Sequence, residues 1–412
     1  MEKRSFQGEV SAVRIGLFGG SFDPVHNEHL RLCQSAIESL ALDKLFVLPA
    51  HTPPHKLGKR LLGDETRLQL CRLAFAGEEK IEISDYELRQ GGTSYTYLTC
   101  EHFKNEYPNA ELFFLMGTDM LRDFPTWKYP ERILENVTLG VCARNEDDGW
   151  LERESKAFEK IFHKPFALIR YNGAPVSSTE IRVLAGAKKP LDGFVPKRVE
   201  KFIYENGLYE IPGAEKSLAL QKPARAEHSI RVAVTAAKRA TSLGVSEEKA
   251  VTAALFHDCA KNLEEDSPLL QGFRLKAEWG EVPAPVLHQF TGAYVAERTF
   301  GITDEEVLDA IRFHTSGRED MTTLSALVFL ADMVEEERKY DGVDVLRKLF
   351  WQETPKHRSK EFLFDCLQEA LRRTVEFLEE KGNTVYPLTK RAYEFYENKK
   401  KGDNYGKHGS NE

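Results

Sequence analysis

The sequence predicts an α/β domain built on a parallel sheet, followed by an all-α domain. Three observations carry this. The chain has 412 residues, more than one ordinary core organises. Its first half alternates short apolar runs with stretches of helical period, the pattern of βαβ units whose sheet is covered on both faces. From His228 onward strand signal is nearly absent and helical periodicity continues to the end.

The elements follow in order. "RIGLFGG" reads as a buried strand, and "EHLRLCQSAIESLAL" spaces its apolar residues as a helix does. "KLFVLPA" and "IEISDYEL" are strands flanking the helix "DETRLQLCRLAFAG", and "SYTYLTCEHFKNEYP" is the next helix. "ELFFLMG", "VTLGVCAR" and "FALIRYN" complete the strands. Around residue 210, "GLYEIPGAEKSLALQKPARAEHS" holds two prolines and no clear period, and reads as a linker. Helices then follow, with Ser246 and Thr303 placed as N-caps. The expected boundaries are 12–210 for the first domain, 211–224 for the linker, 225–398 for the second domain and 399–412 for a polar, frayed tail.

Composition narrows the function classes. Hydrophobic residues at 41% and charged residues at 30% describe a globular chain. A formal net charge of −8 argues against coating nucleic acid, while leaving room for anionic ligands in local basic pockets. The six cysteines form no CxxC pair, the usage expected of reduced thiols in a cytoplasmic protein. No apolar run reaches the roughly 20 residues that span a bilayer, and "MEKRSFQGEVSAV" lacks a signal-peptide core.

The first candidate site is "LFGGSFDPVHNEHL". Gly19 and Gly20 end a strand without Cβ atoms to obstruct a ligand, and a helix beginning near Val25 aims free N–H groups at the same place. His26 and His29 share one face of its first turn and can donate to a phosphate.

This stretch resembles the GxFxPxHxGH signature of the nucleotidyltransferase α/β-phosphodiesterase superfamily, which implies a Rossmann-like domain. "LPAHTPPHK", "SDYELRQGGTSYTYLT", "FFLMGTDMLRDFPTWKYPERIL", "VSSTEIR" and "GFVPKRVEKFIYENGLY" extend the likeness to the bacterial nicotinate-mononucleotide adenylyltransferases. The resemblance implies transfer of adenylate from ATP to nicotinate mononucleotide, giving deamido-NAD and pyrophosphate, with Mg²⁺ assisting. It implies that His26, His29 and Arg182 act on the phosphates, and that Gly19, Gly20, Ser21, Phe22, Ser177, Ser178 and Thr179 bind ATP. Thr93, Ser94, Tyr95, Asp119 and Trp127 would hold nicotinate mononucleotide, and Lys56 would add charge near the phosphates. For "SSTEIR" alone, a helix-capping box is an equal reading. Glu28 departs from the pattern, which has glycine there. A carboxylate beside triphosphate repels it, so the side chain is expected to turn to solvent at some cost in ATP affinity.

The second candidate site gathers His228, His257, Asp258, His288, His314 and Asp332 along the helical half. Imidazole and carboxylate together suit iron, manganese or zinc, without choosing among them. "HSIRVA", "TAALFHDCAKNL" and the run from "TGAYVAERTFG" to "LADMVEEER" resemble the HD-domain phosphohydrolases, specifically the bacterial symmetrical dinucleoside tetraphosphatases. The resemblance implies that His228, His257, Asp258 and Asp332 hold a first Fe or Mn ion. His288, His314, Lys261 and Arg338 would reach a second metal or the substrate phosphates. The implied reaction splits diadenosine tetraphosphate into two ADP. Cys259 beside Asp258 is given no role.

The resulting expectation is a bifunctional cytoplasmic enzyme acting on ATP, nicotinate mononucleotide and diadenosine tetraphosphate, with no nucleic acid or membrane partner. Whether it is a homodimer stays open. Two alternatives stand beside it: a different phosphomonoester acceptor such as phosphopantetheine, and an HD half that hydrolyses another nucleotide or only senses one.

Overall fold

The computed structural model describes residues 12–54, 61–144, 148–352 and 358–408, with side chains up to 399. The chain forms two units, one of Met1–Ile181 with Leu191–Asn206, the other of Arg182–Pro190 with Gly207–Glu412.

The first unit is built on β1 (Arg14–Gly20), β2 (Lys44–Pro49), β3 (Ile81–Ile83), β4 (Glu111–Gly117), β5 (Thr138–Arg144) and β6 (Ala167–Tyr171). They pair in the order β3-β2-β1-β4-β5-β6, all parallel. The inner strands are continuous apolar runs because helices bury both faces. Ile15, Leu17, Leu45, Val47, Leu112 and Leu115 are all at most 2% exposed. Each such side chain contributes roughly 1.5–3 kcal/mol by leaving water. The edge strand β6 alternates instead, with Ile169 buried and Leu168 exposed.

The covering helices are α1 (Asn27–Ser39), α2 (Asp64–Ala74), α3 (Tyr86–Gln90), α4 (Thr96–Glu106), α5 (Thr118–Asp123), α6 (Pro130–Asn136) and α7 (Asp148–Phe162); α8 (Ser178–Gly186) begins in this unit and its residues from Arg182 belong to the second, and α9 (Lys197–Glu205) is again of the first. The stretch "IEISDYEL" stops being a strand after Ile83. Ser84 Oγ accepts from Tyr86 N at 3.3 Å and Asp85 pairs with Arg89, which turns the chain into α3. Strand order reverses at β1, so the crevice beyond the carboxyl ends of β1 and β4 is where such a sheet takes a ligand.

The second unit is helical: α10 (Ala214–Ala219), α11 (Pro223–Ala240), α12 (Glu247–Phe256), α13 (Ala284–Arg298), α14 (Glu305–Arg312), α15 (Thr323–Val334), α16 (Val343–Phe350), α17 (Ser359–Glu380) and α18 (Pro387–His408). Alanines 233, 236, 237, 250, 253 and 254 let α11 and α12 approach closely. α15 is buried on nearly every face, as a central helix must be.

Three expectations are corrected. The stretch 211–224 is not an unstructured linker: it contains α10, whose Ala214 and Leu218 join the core of the second unit. α18 continues to His408, into the stretch expected to fray. The N-cap of α14 is Asp304 rather than Thr303, because its carboxylate accepts from the N–H groups of Glu306 and Val307. Ser246 caps α12 as expected, through Lys249 N. No described helix is long and apolar enough to cross a membrane.

Candidate functional sites

The first site forms where β1 hands over to α1. Phe22 takes a left-handed backbone, φ 47°, and a Cβ on Gly20 would stand 2.9 Å from its ring. A Cβ at 20 would therefore displace the Phe22 ring, whereas one on Gly19 would meet Phe114 only at an ordinary 3.7 Å. A bulky residue in that region costs roughly 1–3 kcal/mol, a strain that concentrates at functional turns. His26 and His29 stack with centroids 3.7 Å apart, as their spacing on the first turn of α1 predicts. His26 N donates to His29 Nδ1 at 3.1 Å, which fixes the second ring. Burial, and then the Arg144 guanidinium, push the His26 imidazole down to about 4, so it is neutral near pH 7. Its Nδ1 is buried without a hydrogen-bond partner.

The start of α8 lies beside this turn. Ser178 Oγ donates to Pro24 O at 2.9 Å, while Ser177 Oγ accepts from Glu180 N at 3.2 Å. The capping reading of "SSTEIR" is thus realised by Ser177 in the same place as the anion-binding one. Thr179 stands in the first turn of α8, half-buried. Arg182, in the second unit, grips Glu247 with its guanidinium, Nε–Oε1 at 2.6 Å and Nη2–Oε2 at 2.9 Å.

Glu28 also departs from expectation. It is 4% exposed rather than turned to solvent, because Arg31 Nη1 holds its Oε1 at 2.7 Å and the side chain lies over Gly173.

At the carboxyl ends of β2 and β4 stand the residues expected to meet nicotinate. Thr93 bridges to Thr52, and Ser94 Oγ accepts from His51 N at 2.9 Å. Lys128 Nζ lies 4.1 Å from the centre of the Tyr95 ring. Trp127 rests against Phe124 and Phe114 and keeps partial exposure, so it both packs and faces outward. Asp119 is exposed at the start of α5. Ser21 is tied in through its carbonyl, which accepts from the fully buried Arg67 at 2.8 Å. Lys56 lies outside the described residues. The sequence reading missed Arg144 and the group His51–Asp64–Arg67, whose side chains lie far apart along the chain or carry no motif.

The second site is a histidine–carboxylate cage in the helical unit. Three groups have ligand atoms within 4.8 Å of one another: His228–His257–Asp258, His257–His314–Asp332 and Asp258–His288–His314. They overlap at His257, Asp258 and His314, and together unite all six residues expected there. Backbone carbonyls orient the rings. His257 Nδ1 bonds Ala254 O at 2.6 Å, and His314 Nδ1 bonds Ile311 O at 2.7 Å, which turns each Nε2 inward. His228 Nδ1 meets Glu335 Oε1 at 3.1 Å while its Nε2 meets Asp332 Oδ1 at 2.8 Å. Burial opposes charge on Asp258, but His257, His288 and His314 hold its carboxyl well below the usual range. Burial likewise opposes charge on Asp332, and His228 and Arg338 overcome it.

A metal ion fits these residues. His257 Nε2 stands 3.3 Å from Asp258 Oδ2, and His288 Nε2 and His314 Nε2 stand 3.2 and 3.5 Å from Asp258 Oδ1, yet His257 Nε2 and Asp258 Oδ1 complete no well-directed hydrogen bond. Lone pairs crowded together in a buried place are costly unless a cation receives them. Neutral nitrogen and anionic oxygen donors are the set that divalent iron, manganese or zinc accepts.

The cage opens on a cavity of about 760 Å³. Lys222, Arg225, Arg231, Lys261, Arg338 and Lys339 line it, with Asn262 and Tyr340, against the acids Glu335 and Glu337. Lys261 Nζ lies 3.0 Å from His288 Nε2, and Arg338 pairs with Asp332, so both expected phosphate residues touch the cage. Arg225, Arg231, Glu335 and Thr315 were missed: Arg225 reaches Asp258 Oδ2 at 3.1 Å, and Thr315 Oγ1 reaches His288 Nε2 at 3.1 Å. Positions three residues from His228 and Asp332 on a helix, as Arg225, Arg231 and Glu335 are, hold the signal that would have found three of them.

Comparison with known proteins gives two family matches, a cytidylyltransferase-like model over residues 17–184 and an HD-domain model over 225–337. A Mycoplasma genitalium protein named probable nicotinate-nucleotide adenylyltransferase/Ap4A hydrolase is 29% identical over 80% of this chain and 89% of its own length. A probable nicotinate-nucleotide adenylyltransferase of Clostridium botulinum (strain Alaska E43) is 37% identical over 48% of this chain and 98% of its own. Among solved structures, a predicted HD superfamily hydrolase involved in NAD metabolism from Clostridium acetobutylicum is 31% identical. That match covers 45% of this chain and 97% of the other, with a TM-score of 0.39.

Proposed function

The chain belongs to the nicotinate-nucleotide adenylyltransferase family and carries an HD domain behind that half; from this premise we propose an enzyme with two phosphoryl chemistries. The first unit transfers adenylate from ATP to nicotinate mononucleotide. A phosphate oxygen of the mononucleotide attacks the α-phosphorus, the bond to the β-phosphate oxygen breaks, and pyrophosphate leaves. No protein nucleophile is needed, so the chain's task is positioning and charge stabilisation. His26, His29 and the amide ends of α1 and α8 bind the phosphates, and Trp127 with Thr93, Ser94 and Tyr95 orients the pyridine. Mg²⁺ carried in with ATP adds positive charge at phosphorus.

The second unit hydrolyses diadenosine tetraphosphate symmetrically, water entering and two ADP leaving. His228, His257, Asp258 and Asp332 would hold a first metal, and His288 and His314 would hold a second or meet the substrate phosphates. When bound, iron or manganese would supply Lewis acidity, lowering the pKa of water and drawing charge from phosphorus. Arg225, Arg231, Lys261 and Arg338 grip the polyphosphate and keep its charge against the cage. One observation carries this half: six histidine and carboxylate side chains form three overlapping groups of possible metal ligands, and the cation-lined cavity reaches them at His228.

The test uses the purified full chain in two separate assays, with and without added Fe²⁺ or Mn²⁺. His257→Ala should abolish ADP formation while deamido-NAD synthesis continues, and His26→Ala should do the reverse. Pyrophosphate release with phosphopantetheine in preference to nicotinate mononucleotide would overturn the first assignment. Binding of diadenosine tetraphosphate without turnover would overturn the second in favour of a sensor.

A further inference from the structure

Tyr340 lines the cavity beside the cage, and none of the chemistry above uses it. The lining is otherwise a set of charges and amides, with Ala224 the one small apolar side chain among the described residues. His228 of the cage apart, Tyr340 brings the only ring to it. The residue is 38% exposed, a large fraction for a bulky aromatic. Its hydroxyl is turned to the backbone, where Oη donates to Met333 O at 3.0 Å. What Tyr340 offers a ligand is therefore the ring, and among the described residues no second ring or cation lies over it.

The segment that carries this ring is held in place. Arg347, on α16, reaches four of its carbonyls: Nε donates to Val334 O at 3.0 Å, and Nη2 to Glu335 O, Glu336 O and Arg338 O at 2.7, 3.0 and 2.8 Å. Val343 N donates to Tyr340 O at 3.1 Å. Two residues before the ring, Arg338 pairs with Asp332 of the cage. Ring, cation and cage thus belong to one fixed stretch, and a surface already in place loses little entropy when a ligand arrives. The cavity, about 760 Å³, has the size that takes one compact organic ligand, roughly 300–1,000 Å³. A polyphosphate gripped by the cations carries a nucleoside at its end, and a base is flat and apolar on its faces. An aromatic ring is the surface that suits it.

We propose that Tyr340 is the nucleobase platform of the second unit, one base stacking on its ring while the phosphates attached to it lie on Arg338, Lys339 and Lys261. The proposal rests on the hydrolase reading above and names the nucleoside subsite that reading leaves open.

The experiment uses the Mn²⁺-loaded full chain and two variants. Tyr340→Phe keeps the ring and removes the hydroxyl; Tyr340→Leu keeps apolar bulk and removes the ring. Inhibition constants of ADP and of inorganic pyrophosphate, which has phosphates and no base, are measured against hydrolysis of diadenosine tetraphosphate. Thermal melting and metal content confirm that each variant is folded and loaded. Loss of a stacked base predicts a roughly five- to hundredfold weaker ADP constant in Tyr340→Leu. Pyrophosphate should stay within about twofold, and Tyr340→Phe should keep ADP binding near the wild type. An ADP constant unmoved in Tyr340→Leu would overturn the proposal. So would ADP and pyrophosphate weakening together, since the residue would then only shape the cage, or Tyr340→Phe losing as much as Tyr340→Leu. If diadenosine tetraphosphate is not hydrolysed, the hydrolase reading fails by itself. Calorimetric titration of ADP and pyrophosphate into the same three loaded proteins then decides the platform, because a preference for ADP that Tyr340→Leu removes belongs to the second unit. A preference that both variants leave intact overturns it there too.

Discussion

Replacing Glu335 by glutamine should weaken metal binding in the cage without unfolding the helices. The carboxylate of Glu335, 2% exposed, satisfies three donors at once: Oε1 meets His228 Nδ1 at 3.1 Å, and Oε2 meets Arg231 Nε at 2.8 Å and Glu337 N at 2.9 Å. An amide has one oxygen, which goes where two donors converge. Its NH₂ then faces His228 Nδ1, which must become an acceptor, so the imidazole proton moves to Nε2, the nitrogen turned toward Asp332 and the cage. A metal must now displace that proton against the favoured tautomer. Loss of such an outer partner typically costs 10–100-fold in metal affinity, about 1.4–2.8 kcal/mol. The assay is calorimetric titration of Mn²⁺ into chelator-treated full chain, with proton release read from buffers of different ionisation enthalpy. A dissociation constant within twofold of the wild type, with unaltered proton release, would refute the reasoning.

Two further outcomes are expected. His26 is held at about 4, below the ordinary 6.5, so between those values the unfolded chain takes up a proton that the folded chain refuses. Stability of the first unit should fall by roughly 3 kcal/mol as pH drops from 6.5 to 4 on this account. Urea unfolding across that window should be flatter in His26→Gln, and an identical slope would remove the imidazole as its cause. Chelation should lower the melting temperature of the second unit, and restoring metal at a hundred times its Kd should return about 2.7 kcal/mol. A melting curve indifferent to chelator would speak against the cage as a metal site.

Most of the sheet and the six cage residues could be read from the sequence because each strand is a compact apolar run and each ligand sits in a local motif. What escaped was set by side chains meeting across long separations. Glu28 looked like a solvated first-turn acid, yet Arg31 and the absence of a Cβ at Gly173 draw it inward. Arg182 sits in a phosphate-like motif, but Glu247 offers two oxygens to its planar fork, a pairing no local pattern announces. Glu335 was one acid among several in "VEEER", and only its burial against His228 and Arg231 sets it apart. Asp304 outcompetes Thr303 because its carboxylate reaches two amides, a distinction of one residue in the entry angle of a helix.

The place of β1 in the sheet bears on how the chain is made. Its backbone pairs with β2 on one side and with β4 on the other, so Arg14 must wait for Glu111 to leave the ribosome. Until then an apolar ribbon shows an open row of amides and carbonyls, the kind of edge that recruits strangers. A chain stopped between those two strands therefore leaves one side of β1 without its native neighbour.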